Sequence, residues 1–398
     1  KQKTAYEIPK RDWSSDVCSS DLVKTEMVQR ASDAQSADDV RKLIVEMLGR
    51  LKRSHFALLS AADLDGGGPM GEATVPIDIR AAPEGLLIVS VEPGSAAARA
   101  GVAPGQRIDA IDGVDTKAWT VEAGARGTAN RRRAREVWQK AQRALHGAAG
   151  TTVSLTLADS TAVLKRIDLV RAFEAGTPVA LGNLPRLPVR TEVREVRTAG
   201  RRRVGLIGFN FWMTAIDAPV AAAIDRFRSA DGIVIDLRGN PGGLAAMMSG
   251  IAGHFIADEQ ALLGRMQTRQ AQLEFHANPR TVTTDGRRVR PYGGRVAILV
   301  DELTGSTSEC FSGALQSLGR ARVFGRRTMG EALPALTKQL PNGDVLMYAV
   351  GNFVTSSGHS LEGDGVVPDE EVPLSRAGLA GGRDPVLQAA LTWLDRTP

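Results

Sequence analysis

The sequence predicts an α/β protein whose sheet is largely parallel and covered on both faces, preceded by a β-rich unit and a helical segment. Three observations lead there. The apolar runs VGLIGFN (204–210), GIVIDLR (232–238) and VAILVD (296–301) are each followed by a helical pattern, near 218–228, over 244–256 and after Ser306. Unbroken apolar strands alternating with helices belong to covered parallel sheets. Between residues 75 and about 172 the pattern changes to short strands and turns, and before residue 62 apolar residues recur at helical spacing. A chain of 398 residues with 43% hydrophobic and 24% charged residues is an ordinary globular composition with room for two or three domains.

From the N-terminus, KRDWSSDVCSSDL (10–22) has neither helical nor strand period and resembles a translated adapter sequence. Residues 1–22 are therefore read as a non-native segment that hides the true start and any leader. Residues 23–62 form a helical segment, with VRKLIVEMLGRL (40–51) at helical spacing and RSHFALLS (53–60) after it. A glycine-rich linker follows at 63–73. The unit at 75–172 contains EGLLIVSVEPGSAAARAGVAPGQRIDAIDG (84–113): strand, Pro-Gly turn, short helix ended by Gly101, strand. Residues 115–148 read as a helical insertion, and 150–171 as closing strands. A proline-containing linker at 177–188 leads into the last domain, 184–398.

Composition excludes several function classes. Net charge is +5, and the basic runs Arg131–Arg133 and Arg201–Arg203 lack interleaved aromatics, so they read as solvated surface and no nucleic-acid partner is expected. No apolar run reaches the roughly 18 residues of a membrane span. Cys18 and Cys310 form no disulfide framework and no metal-ligand pattern, so no metal is expected. Cys310 reads as a small core residue.

The chemistry concentrates in DELTGSTSECFSGALQ (301–316), where small hydroxyl residues stand at a strand-to-helix corner. Ser306 with Glu309 reads as a capping box. The same serine at a helix N-terminus also has the position of a nucleophile, with N–H groups nearby to hold an oxyanion. DLRGNPGG (236–243) is either a plain turn or a loop with exposed N–H groups suited to that oxyanion. A third polar stretch, VTSSGHSLEGDGVVPDEEV (354–372), follows.

Residues 84–113 resemble a PDZ domain in the permuted order of bacterial proteases. The resemblance implies that Glu84, Gly85, Leu86 and Leu87 receive a peptide C-terminus, unless the unit only spaces or regulates. With DLRGNPGG, GSTSECFSGALQ and LEGDGVVPD, the chain over roughly 40–398 resembles the tail-specific, C-terminal processing serine proteases. That implies a ClpP/crotonase-like core, Ser306 as nucleophile, and the N–H groups of Gly243 and Thr307 as oxyanion donors. One departure matters. Where the best-known branch carries a lysine base in G-x-x-T-x-G-K, this chain reads GRRTMGEA (325–332), with Glu331 at the lysine position. Lys338, in the strand-like LTKQL, is the nearest lysine.

The Ser-His pair in RSHFALLS resembles the motif of the tricorn protease branch. This implies His55 as base and Ser54 as its neighbour in a tetrad closed by Glu362. Ser54 would link Glu362 to the His55 ring and fix its tautomer. His359 is the competing base. His146, His254 and His276 have no supporting motif, and Asp364, Glu309 and Glu331 are competing carboxylates. Two functions follow from the resemblance. One is a cofactor-free endopeptidase acting through an acyl-enzyme on polypeptides, exported to the periplasm or cell envelope. The other is a non-catalytic binding protein for an apolar ligand or partner on the same fold. Oligomeric state has no signature in the sequence.

Overall fold

The computed structural model describes residues 13–65, 72–121 and 127–396. Helices α1 (Trp13–Ser32) and α2 (Ala37–Arg50) are joined by exposed ion pairs, Arg30 to Glu46 and Arg50 to Glu26, each at 2.7 Å. Ser36 begins α2 by accepting the Asp39 N–H at 3.2 Å. Helix α1 starts inside the stretch that lacks sequence period. Once a helix exists, each further residue gains a hydrogen bond, so residues without an apolar stripe can extend one. Residues 1–12 lie outside the described residues, as do 66–71 of the expected glycine linker. The chain continues through β1 (Ala57–Leu59) and α3 (Ala61–Asp65).

The β-rich unit contains β2 (Ile77–Ala82), β3 (Gly85–Val91), α4 (Ala96–Arg99), β4 (Arg107–Ile111), β5 (Val114–Asp115), α5 (Thr128–Leu145), β6 (Thr152–Ala158) and β7 (Leu164–Val170). Its antiparallel sheet runs β2-β3-β4-β6-β7. Alternation along β6 sends Val153, Leu155 and Leu157 inward. They meet Ala134, Val137, Ala141 and Leu145 of α5, which are spaced along one helical face. Helix α5 is therefore an integral wall of this unit.

The last unit contains β8 (Thr177–Val179), β9 (Leu187–Val189), β10 (Thr191–Arg197), β11 (Arg203–Phe209), α6 (Asp217–Arg226), β12 (Gly232–Asp236), α7 (Met247–Ala252), β13 (Leu262–Thr268), β14 (Gln272–His276), β15 (Arg295–Val300), α8 (Thr307–Ser317), β16 (Arg322–Gly325), β17 (Ala335–Gln339), β18 (Val345–Ala349), β19 (Gly351–Thr355), β20 (Glu370–Glu371), α9 (Arg376–Ala380) and α10 (Pro385–Asp395). The main sheet is ordered β10-β11-β12-β15-β16-β20 and is parallel from β11 onward. Ile207, Ile233, Ile235 and Ile298 face α6, α7 and α8, while Leu206, Val234, Ala297 and Leu299 face α10. Burial on both faces explains the unbroken apolar runs. Helix α7 is shorter than the expected 244–256, with turns at 245–246 and 253–255 on either side of it.

Three smaller sheets complete the unit, β8-β9, β14-β13-β19 and β1-β18-β17. The last of these matters for function. Pairing of Ala57 with Met347 fastens the N-terminal segment to the core directly after Ser54 and His55. Arg41 of α2 adds a 2.9 Å ion pair to the buried Asp344 beside β18.

Candidate active site

The C-terminal ends of β12 and β15 lead into the two loops that the sequence singled out, the usual place for a site in a parallel sheet. The turn after β15 is wired internally. Asp301 N–H donates to Thr304 Oγ1 at 2.9 Å, Thr304 Oγ1 donates to the Leu237 carbonyl at 2.8 Å, and Gly305 N–H donates to the Asn240 carbonyl at 3.0 Å. Ser306 follows at φ 52° and ψ −120°, a region sparsely populated by non-glycine residues that costs on the order of 1–3 kcal/mol. Its N–H is held by the Glu331 carbonyl at 2.9 Å and by Glu309 Oε2 at 3.1 Å. The Glu309 arm of the expected capping box is thus present. Neighbouring hydroxyls have structural partners: Thr307 Oγ1 donates to the Gly243 carbonyl at 2.9 Å, and Ser308 Oγ accepts Trp212 Nε1 at 2.8 Å. Ser306 Oγ donates to no described residue.

Two N–H groups beside Ser306 also lack described partners, those of Gly243 and Thr307. Asn240, fully buried, shapes the loop by accepting the Gly242 N–H at 2.9 Å and donating to the Phe209 carbonyl at 2.7 Å. Trp212 brackets Gly243, donating to the Gly242 carbonyl at 2.9 Å and accepting the Leu244 N–H at 2.7 Å. Glycine is required twice here. A Cβ at Gly242 (φ +106°) would stand 2.6 Å from Ser306 Cβ, and one at Gly243 (φ +140°) 2.5 Å from the Trp212 carbonyl oxygen.

On the far side stands the N-terminal pair. Ser54 Oγ donates to Glu362 Oε2 at 2.8 Å, and Ser54 N–H donates to Glu362 Oε1 at 3.0 Å. Ser54 Oγ lies 2.8 Å from His55 Nδ1. A hydroxyl has one proton, and this one goes to a carboxylate. The serine must therefore accept from Nδ1–H, which leaves Nε2 as a bare lone pair. Burial lowers the His55 pKa; Glu362 opposes that shift and the Arg135 charge adds to it. His55 itself has φ 59°. The structure does not hydrogen-bond Nε2 to Ser306. The two halves meet through the 331–332 segment, whose Glu331 carbonyl holds Ser306 and whose Ala332 N–H donates to Glu362 Oε2 at 3.2 Å.

The remaining candidates fall away. Lys338 and His359 are exposed, and Asp364 is exposed and paired with Arg327 at 3.3 Å. His146 bonds the Gln142 carbonyl at 2.8 Å and His276 pairs with Glu274 at 3.2 Å. His254 is buried, and burial first, then Arg280 and Arg228, push its pKa down to about 4.

Two sequence expectations need correction. The Glu84–Leu87 strip does not offer N–H groups to a peptide. Ala82 pairs with Gly85, so Glu84 lies in a tight hairpin turn, and Leu86 and Leu87 are buried and paired with β2 on one side and β4 on the other. The edge strands of that sheet are β2 and β7. Nor is the run at Arg131–Arg133 only solvated surface. Arg131 is 7% exposed and donates to the Gly363 carbonyl at 2.8 Å, and Arg135, one turn on, forms an ion pair with Glu331. No periodicity announces which faces of a basic helix meet another unit.

The profile of peptidase family S41 matches residues 203–372, and a PDZ-domain profile matches residues 87–126. A carboxyl-terminal-processing protease of Picosynechococcus sp. is 27% identical over 383 residues, covering 94% of this chain and 83% of that protein. A protein of the same name from Synechocystis sp. is 30% identical over 334 residues, covering 82% of this chain and 69% of that one. Among solved structures, a photosystem II D1 C-terminal processing protease superposes with a TM-score of 0.55 at 20% identity, covering 88% of each chain. Mature CPAF superposes with a TM-score of 0.57 at 12% identity, covering 94% of this chain and 89% of that one. These two likenesses are of fold.

Proposed function

The chain belongs to the carboxyl-terminal-processing serine proteases of peptidase family S41, and from that premise we propose that Ser306 is its nucleophile and His55 its base. The observation that carries the assignment is the Glu362–Ser54–His55 chain, which leaves Nε2 free to take a proton. His55 Nε2 removes the Ser306 proton as Oγ attacks a peptide carbonyl, and the carbonyl oxygen becomes an oxyanion held by the Gly243 and Thr307 N–H groups. The imidazolium is steadied through Ser54 by Glu362. It then gives its proton to the departing amine as the acyl-enzyme forms, and water attacks that ester with His55 again as base.

Glu331, at the position of the usual lysine, is not the base in this reading. It is paired with Arg135 of α5, which places a wall of the β-rich unit against the catalytic loops. That placement supports a unit that gates access as well as recruiting polypeptides by their C-termini. Work in the periplasm or cell envelope is part of the same proposal, tested by fractionating cells that express the full gene.

The deciding experiment is labelling with a fluorophosphonate, which reacts with activated serines, followed by mass-spectrometric mapping. Label on Ser306 in the wild type, lost in Ser306→Ala and His55→Ala, is the expected result. Label retained in His55→Ala would assign the base elsewhere.

A further inference from the structure

Glu309 is the third residue of α8, and its side chain is fully buried. Its carboxylate receives four donors. Ser306 N–H at 3.1 Å and Glu331 N–H at 2.9 Å reach Oε2, while Gly330 N–H at 2.7 Å and the Thr328 hydroxyl reach Oε1. A capping box needs only the first of these. The other three come from the 328–331 segment, which stands where the family's usual lysine would be. Thr328 Oγ1 in turn accepts the Val366 N–H at 2.7 Å, extending the network to the loop after Glu362.

One carboxylate therefore joins the strained serine, the segment that carries Glu331 and Ala332, and the loop that carries Glu362. Ser54 and His55 hang on Glu362, and Ser306 hangs on Glu331. Building on the Ser306–His55 reading, we propose that Glu309 is a positioning residue that must be ionised to hold Ser306 in register with the Glu362–Ser54–His55 chain.

The chemistry of the site requires the charge. All four groups that meet the carboxylate are donors, so a proton on either oxygen would face another donor and orphan a buried N–H or hydroxyl. The charged and titratable groups around it are few. They are Arg131 on α5, Cys310 on α8, Glu331 with its partner Arg135, Glu362 on the following loop, and Asp364 on that loop with its partner Arg327. Burial pushes the Glu309 pKa up to about 7 against the lowering effect of its four hydrogen bonds, so protonation falls within an accessible pH range.

The direction separates positioning from mere stabilisation. An acid whose pKa is raised by folding makes the folded state bind protons more tightly. Its contribution to stability therefore declines as pH rises from about 4.5 to about 7. A positioning carboxylate makes competence rise over the upper end of that same interval. Activity and thermal stability should then move in opposite directions around pH 7.

The test measures the fluorophosphonate labelling rate, kcat/KM on a peptide and the melting temperature from pH 5.5 to 9, for wild type and Glu309→Gln. In the wild type, labelling should rise through a step near pH 7, above and separate from the His55 step. In Glu309→Gln the upper step should vanish and kcat/KM fall by on the order of a hundredfold, the scale of a nucleophile misplaced by about 1 Å. A variant with wild-type kcat/KM and both steps would overturn the proposal. Should the variant not fold, the wild-type profile decides, since labelling without a step near pH 7 also overturns it. No labelling of the wild type at pH 8.5 strikes the Ser306 reading itself, and this proposal with it.

Discussion

Arg80 on β2 donates from Nε to Asp301 Oδ2 across 2.7 Å, and both side chains are almost completely buried. Asp301 uses its other oxygen to accept the Gly239 N–H at 2.9 Å and the Leu303 N–H at 3.1 Å. One carboxylate so anchors the loop that leads to Gly243 and the turn that leads to Ser306, and the β-rich unit is bonded to that anchor. Burial acts to raise the Asp301 pKa, but the charges of Arg80 and Arg326 outweigh it and hold the group below its ordinary value.

Arg80→Met keeps most of the stem and removes the charge. Deleting one member of a buried pair costs about 3–5 kcal/mol, because the survivor stays buried and uncompensated. Arg326 remains near Asp301, which places the expectation at the lower end, about 3 kcal/mol. Urea unfolding should show this loss, and Asp301→Asn added to Arg80→Met should recover part of it. An unfolding curve identical to wild type would mean that this bond does not anchor the loops.

Ser54→Ala removes the acceptor for His55 Nδ1–H while leaving Glu362 in place. The imidazole then has no partner to choose its tautomer, and Nε2 becomes protonated in part of the population. A wrong tautomer in a triad costs about 10⁴ in kcat, and here the expected loss is about 10²–10³, since Glu362 still supplies its charge. Nitrogen NMR of the ring should report Nδ1–H in the wild type and a mixture in the variant. Equal kcat with a single tautomer in both would remove Ser54 from the relay.

Much of this was legible in the sequence because the signals are local. The parallel strands show as unbroken apolar runs since both of their faces are covered, and Ser306, Gly243 and Thr307 lie in short motifs at strand ends. Pairing Ser54 with Glu362 is a contact between residues far apart in the chain, so no periodicity could reveal it. Only the resemblance suggested it. What failed was equally physical. The Gly85–Leu87 strip lies on β3, one strand in from the edge at β2, and an apolar strand reads the same whether its N–H groups are free or paired. Arg131 looks solvated because an exposed arginine and one that reaches another unit have the same local pattern.

Arg135 joins the β-rich unit to Glu331 and also places a positive charge near His55. Removing it with Arg135→Ala should change stability by no more than about 1 kcal/mol, since the pair is partly exposed. The effect on chemistry has a definite sign. After burial, Arg135 is the group that lowers the His55 pKa, so its loss raises that pKa and moves the acid limb of labelling to higher pH. Freed from its latch, α5 should also admit substrate more readily, raising the labelling rate on the pH 8 plateau. A plateau that stays level or drops would remove α5 from gating.

The position of His55 rests finally on Asp344, which accepts Arg41 Nε at 2.9 Å on one side of the Ser54–His55 stretch and the Ala61 N–H at 2.9 Å on the other. The Arg41 hydrogen bond is the main reason that its pKa is lowered to about 2. Burial opposes the shift, and Ala61 and Asn342 assist it. A depressed acid gives stability that is complete above its unfolded value, near 3.9, and is lost as pH falls through the folded value. Wild type should thus hold this anchor unchanged from pH 7 to 5 and release it between about pH 4 and 2. Asp344→Asn should lack it at every pH. Hydrogen exchange at pH 7 should be faster over α2 and residues 54–60 in the variant, and Ser306 labelling slower. The difference in exchange should narrow as pH falls to 2, where about half of the wild-type carboxyl is itself protonated. If α2 exchanged at the same rate in both proteins at pH 7, β1 pairing alone would be holding His55 in place.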